Sequence, residues 1–334
     1  MKLATIPAAV VAAFMAVSAT PAIALTINTS FDASVTSQPN AASIQGAFNQ
    51  AAAAFQSILA NPVTVNLKVS WGSINGQPLP SGALGTSSTS LYGYFSYAQM
   101  KSWLTGAATT SADRQAVATL PATAPAGQLQ YVLTSAQAKA LGLVSPNGTG
   151  VDGSIGFGLS PYDFNSGDGV SYGTYDFVSV AQHELSEVLG RISGLSSATP
   201  TYATALDLFR FSSDGARAFS YNGNGYFSID NGTTDLANFT HAPNGGDRGD
   251  WLSTPATTDM ADAFTYSNTR GIFSSVDQTV LDVIGWGGTG TGTGSNFVLS
   301  TQKGLQDIEL PEPSSLLLLG VGALAAAGLR RRRP

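Results

Sequence analysis

An α+β fold is predicted by three features of the chain: an apolar stripe at helical spacing over 40–59, strand alternation directly after it over 63–71, and a change to strand-spaced pattern beyond Gly190. Asn40 can cap the first helix, whose face carries Ile44, Phe48, Ala51, Phe55 and Ile58, and Asn61-Pro62 stops it. Val63, Val65, Leu67, Val69 and Trp71 then alternate with polar residues, the period of a strand with one face on a core. Residues 73–90, rich in Gly, Ser and Pro, read as a loop. Short helices over 97–104 and 112–120, a strand over 129–133, a helix over 136–141 and a strand over 155–159 follow, then a Gly/Asp/Ser loop over 162–173. The strongest helical pattern is 177–189, where Val178, Ala181, Leu185 and Val188 form the apolar stripe and Gly190 is the stop. Strands over 206–211, 216–221 and 226–229, separated by Ser-Ser-Asp-Gly and Asn-Gly turns, make a strand-rich C-terminal lobe, and a last amphipathic helix covers 276–284.

Of the 334 residues 43% are hydrophobic and 11% charged, too apolar a balance for a disordered chain. Once both ends are set aside, one domain from 25 to 286 suits the length. Cys is absent, so disulfides, thiolate metal sites and thiol catalysis are excluded. Without its two ends the chain has ten basic against twenty acidic side chains, which argues against nucleic acid as a partner. A phosphate loop of the Gly-x-x-x-x-Gly-Lys-Ser/Thr kind is missing.

The ends read as addresses. Residues 1–24 have the make-up of a secretory signal: Lys2, an apolar run over 8–17, and Ala22-Ile23-Ala24 as the cleavage site. Residues 287–310 open with a Gly/Thr/Ser run that cannot build a core and serve as a linker. In 311–334, Pro311-Glu312-Pro313 precedes an apolar run over 314–329 and the four Arg of 330–333. That run is shorter than the roughly 20 residues of a bilayer span, so it suits a transient membrane contact with Arg inside. This segment resembles the PEP-CTERM sorting signal of Gram-negative bacteria. The resemblance implies recognition and removal by an exosortase, with export to the cell surface or extracellular matrix.

The chemistry concentrates in His183-Glu184-Leu185-Ser186-Glu187. The chain has two His, His183 and His241, and the folded unit has two Glu, so three of these four residues fall within five positions. Residues four apart share a helix face, so His183 Nε2 and a Glu187 oxygen can converge on a cation about 2 Å from each. Glu184 points about 100° round the helix. The plain alternative is a solvated helix face with a hydrogen-bonded His. Asn/Asp/Gly runs at 222–225 and 244–247 offer oxygens for structural Ca²⁺, although such runs are mostly turns.

The run Asp176 to Arg191 resembles the active-site helix of the zincin metalloproteases, closest to a metzincin-like group of bacterial PEP-CTERM proteins. The segments 206–211, 226–230, 249–251 and 281–286 add to the likeness, which covers most of 40–286. It implies a zincin-like α+β fold: an N-terminal helix and mixed sheet, the active-site helix, then the strand-rich lobe and final helix. It further implies a metal-dependent endopeptidase acting on protein or peptide substrates, with Glu184 as catalytic base and Zn²⁺ as cofactor. The family pattern His-Glu-x-x-His-x-x-Gly-x-x-His/Asp is altered here, because Glu187 replaces the second His and Ser193 takes the last position. The metal ligands are then His183, Glu187 and a third group, for which Asp207 is the first candidate, His241 the second and Asp250 the third. Two carboxylates make the site harder than three His ligands, which brings Mn²⁺ or Ca²⁺ into competition with Zn²⁺. No Met stands where the metzincin turn would place one, and Phe209 or Phe211 is expected to form the apolar floor. The rival expectation is a non-catalytic matrix or adhesion protein on a degenerate zincin fold.

Overall fold

The structure, a computed structural model, describes residues 24–287 except 128, 196, 242–245 and 255–257. The signal segment, nearly all of the linker and the sorting segment therefore lie outside the described residues. The body is an α+β fold.

Its main sheet runs in the order Thr26–Phe31, Thr64–Trp71, Gly153–Phe157, Gly85–Thr89. The first three strands are parallel; the fourth pairs antiparallel with the third and forms an edge, with Gly85 opposite Phe157. The expected loop over 73–90 is thus corrected to a small hairpin, Ser73–Ile74 with Gln77–Pro78, followed by the edge strand. Gly-Thr-Ser-Ser-Thr lacks the large apolar alternation that marks a strand, and it is the ladder to 153–157 that makes it one. Thr26–Phe31 has no counterpart in the sequence reading.

The helix Ala41–Ile58 buries Ile44, Phe48, Ala51 and Phe55, the stripe expected of it, although the Asn40 side chain makes no capping bond. The helix Phe177–Val188 packs against it and against the edge strand. Phe157 joins these layers, its ring 6.1 Å from Phe48 and 4.5 Å from Phe177. All twelve residues of the 177–188 helix are buried. Its polar side is therefore not the solvated face that the alternative reading required.

A second sheet joins Tyr202–Ala203, Gln130–Thr134 and Leu91–Phe95, and the C-terminal lobe carries Ala216–Arg217, Arg210–Ser213, Tyr226–Phe227 and Ala237–Asn238. The expected strand over 206–211 begins instead as a 3₁₀ turn, Leu206–Phe209, because the Asp207 carboxylate accepts the Thr204 N–H at 2.8 Å and bends the chain there. The last helix, Ser275–Val283, starts with a Ser274/Asp277 capping box. Beyond it the buried Trp286 indole donates to Leu189 O at 2.7 Å, and Gly287 N donates to Asn61 Oδ1 at 2.7 Å.

A carboxyl pair ties this last helix to Ser111–Ala118. Asp113 accepts the Thr109 and Thr110 N–H groups, and Thr110 Oγ1 donates to Asp282 Oδ2 at 2.5 Å. Burial first, and then the Asp282 charge, push the Asp113 carboxyl from 3.8 up to about 7. The native state keeps this proton while the unfolded chain sheds it, so stability declines as pH rises between those two values and stays reduced above them. Asp113→Asn keeps an acceptor for the backbone without the charge. The variant is expected to melt at or above the wild-type temperature at pH 8, with a flatter pH dependence in calorimetry. An equal loss of melting temperature at pH 5 and pH 8 would contradict this account.

Candidate metal centre

Asp176 opens the 177–188 helix by accepting the Val178 N–H at 3.1 Å. Gly190 ends it with a φ of +105°, and a Cβ there would also press on Gln137. Between these ends, one helical turn sets His183 Nε2 3.7 Å from Glu187 Oε1. Asp250 comes from the C-terminal lobe and places Oδ1 3.5 Å from the same Nε2. Both separations exceed the range of an N–H···O hydrogen bond. They match the roughly 3.4 Å edge of a tetrahedron of donors set about 2.1 Å from a central ion. Among the described residues, His183, Glu187 and Asp250 are the one group of His and carboxylates spaced to hold a metal.

The outer contacts aim each of these atoms. His183 Nδ1 lies 3.0 Å from Met260 O, which places an N–H on Nδ1 and turns Nε2 toward the cluster. Ser87, on the edge strand, donates to Glu187 Oε2 at 2.6 Å and leaves Oε1 facing His183. The Asp250 segment is held by a bridge between Phe239 and Trp251 and by Thr240 N donating to Asp250 O at 2.9 Å. Glu184 lies against the edge strand at Gly85, where a Cβ would overlap its carboxyl group. Only glycine allows that approach.

Charge is concentrated here. Burial, followed by the Glu187 charge, holds the Glu184 carboxyl well above its usual range. Burial also raises Asp250, to about 6, against the pull of His183. Burial opposes ionisation of Glu187 too, yet the adjacent His183 and the Ser87 hydroxyl win and lower it. Burial alone would lower His183, but Asp250 and Glu187 together raise it well above its ordinary value. Asp247 is pushed well above its range by burial and by Asp250. A set of this kind, with several carboxylates facing one imidazole, is short of positive charge, which a divalent cation could supply.

The structure brings together His183, Glu184 and Glu187 and leaves out the first-choice third ligand. Asp207 is corrected to a loop-holding role: it accepts the Ser193 hydroxyl at 2.6 Å, Gly194 N at 2.9 Å and Thr204 N, and it orders the 193–207 turn. His241 is not in the cluster either, and Asp250 stands in the third position. Sequence spacing carried little signal for Asp250, since 62 residues separate it from Val188, the end of the helix. Met260 meets the imidazole through its backbone carbonyl. At 222–225, the Gly223 and Gly225 carbonyls already accept from Arg248 and Phe239, and of 244–247 only Gly246 and Asp247 are among the described residues.

Comparison with known proteins finds the PEP-CTERM protein-sorting motif over residues 309–333. No curated protein and no solved structure matches the chain. The motif marks the chain for export to the cell surface and for processing by an exosortase. Among the described residues no helix is long and apolar enough to cross a membrane.

Proposed function

We propose that this exported chain is a zincin-type metal-dependent endopeptidase acting on protein or peptide substrates at the cell surface. The observation that carries the reading is the convergence of His183 Nε2 with Glu187 Oε1 at 3.7 Å and Asp250 Oδ1 at 3.5 Å, with Glu184 on the same helix. A divalent cation, Zn²⁺ before Mn²⁺ or Ca²⁺, would supply Lewis acidity to a peptide carbonyl and to water. The chain's own residues do the rest. His183, Glu187 and Asp250 would hold the ion, Ser87 and Met260 fix the orientation of Glu187 and His183, and Glu184 would take a proton from the attacking water and pass it to the leaving amine.

One observation favours a second reading. His183, Glu184 and Asp250 are each 2% exposed, so a substrate must open the site before it reaches the base. That degree of enclosure suits an ion that only braces a matrix or adhesion protein. Both readings require metal. The full chain, stripped with chelator and reloaded, is expected to retain one equivalent of Zn²⁺, and His183→Ala to retain none by elemental analysis. Wild type without metal ends both. Casein cleavage by the loaded protein selects the peptidase, whereas a metal-dependent rise in melting temperature without cleavage selects the structural ion.

A further inference from the structure

Arg191 follows the Gly190 turn, its N–H bonded to Ser186 O at 2.9 Å, and its guanidinium is wholly buried. Nη1 lies 3.4 Å from Asp250 Oδ1, the same oxygen that faces His183, and Nε lies 4.0 Å from Asp277 Oδ1. The group is laid over the Trp251 ring at 4.5 Å, and Trp251 Nε1 in turn donates to Asp277 Oδ1 at 2.8 Å. Among the described residues, Arg191 is the one Arg or Lys in ion-pair contact with the cluster. Its Nε and Nη2 make no hydrogen bond there, so the guanidinium is placed by stacking and by charge more than by a full set of acceptors.

We propose that Arg191 is a positioning residue acting as the resident cation of the centre: it holds Asp250 aimed at His183 when no metal is bound, and it weakens the binding of a divalent metal. The inference rests on the metal-centre reading above. Buried carboxylates without a counter-charge are costly, and a guanidinium against Asp250 lets the cluster persist empty. Once a metal enters, the same fixed charge sits one ligand oxygen away and repels it. The arrangement thus trades affinity for a site that is formed before it is filled, which suits a protein that receives its metal after export.

The test measures Zn²⁺ and Co²⁺ affinity of the full chain by competition with a chelator, together with the Co²⁺ absorption spectrum and the melting temperature with and without metal. Arg191→Met keeps the length and the stacking on Trp251, and Arg191→Gln keeps a donor for Asp250; both remove the charge. Each is expected to bind metal at least tenfold more tightly than wild type, to melt lower than wild type in chelator, and to gain more from added metal. Arg191→Lys should stay within about threefold of wild-type affinity, with the same Co²⁺ spectrum. A neutral variant that folds only when metal is supplied fits the proposal. Equal or weaker binding in both neutral variants overturns it, as does failure of both to fold with metal present. Absence of metal from wild type and variants alike overturns the metal centre itself, a separate outcome.

Discussion

Glu184→Gln is expected to leave one equivalent of metal bound and to lower peptide cleavage by two to four orders of magnitude, the usual worth of a positioned general base. The amide fills the same space against Gly85, where the edge strand leaves no room for a larger neighbour, so the fold has little reason to change. The charge coupling between Glu184 and Glu187 does change, because the amide cannot ionise. Retained metal with lost cleavage is the combination that assigns Glu184 to proton transfer. Undiminished cleavage by a metal-loaded variant would remove Glu184 from that role, whatever the rest of the site does.

The second large effect separates two aspartates that the sequence could not rank by geometry. Asp250→Asn is expected to lower metal affinity by at least a hundredfold, since it takes away a charged donor from a set of three. Asp207→Asn is expected to leave metal affinity within about threefold. It costs about 1–3 kcal/mol of stability instead, because the Ser193 hydroxyl and the Gly194 and Thr204 N–H groups lose a charged acceptor. Chelator competition and denaturant unfolding, done on both variants, read the two quantities separately. Metal loss in the Asp207 variant with none in the Asp250 variant would reverse the assignment.

Much of this was legible in the residues, for identifiable reasons. The 177–188 helix announces itself through Val178, Ala181, Leu185 and Val188, and its polar side through the clustering of rare His and Glu. The helix 41–58 and strand 64–71 follow from periods of 3.6 and 2 that local sequence carries directly. The edge strand was not legible. Its residues are small because Gly85 must admit Glu184 and Ser87 must reach Glu187, and small residues in series look like a loop. Asp250 was visible only as one of several distant carboxylates, because its place depends on the Phe239–Trp251 bridge within the C-terminal lobe and on Arg191, just past the 177–188 helix. A carboxylate far along the chain leaves no periodic trace, and Asp207, nearer and on a better-patterned segment, competed for the position.

The attachment of the last described residues carries a mechanical consequence. Trp286 is anchored to Leu189 O, immediately after the 177–188 helix, and Gly287 to Asn61, just past the helix 41–58. Tension on a tethered tail would be delivered at that point as shear across two helix ends in the middle of the body, not as the peeling of a loose terminal strand. The load path enters next to Gly190 and Arg191, so a pull from the membrane side is felt first at the end of the helix that carries His183 and Glu187.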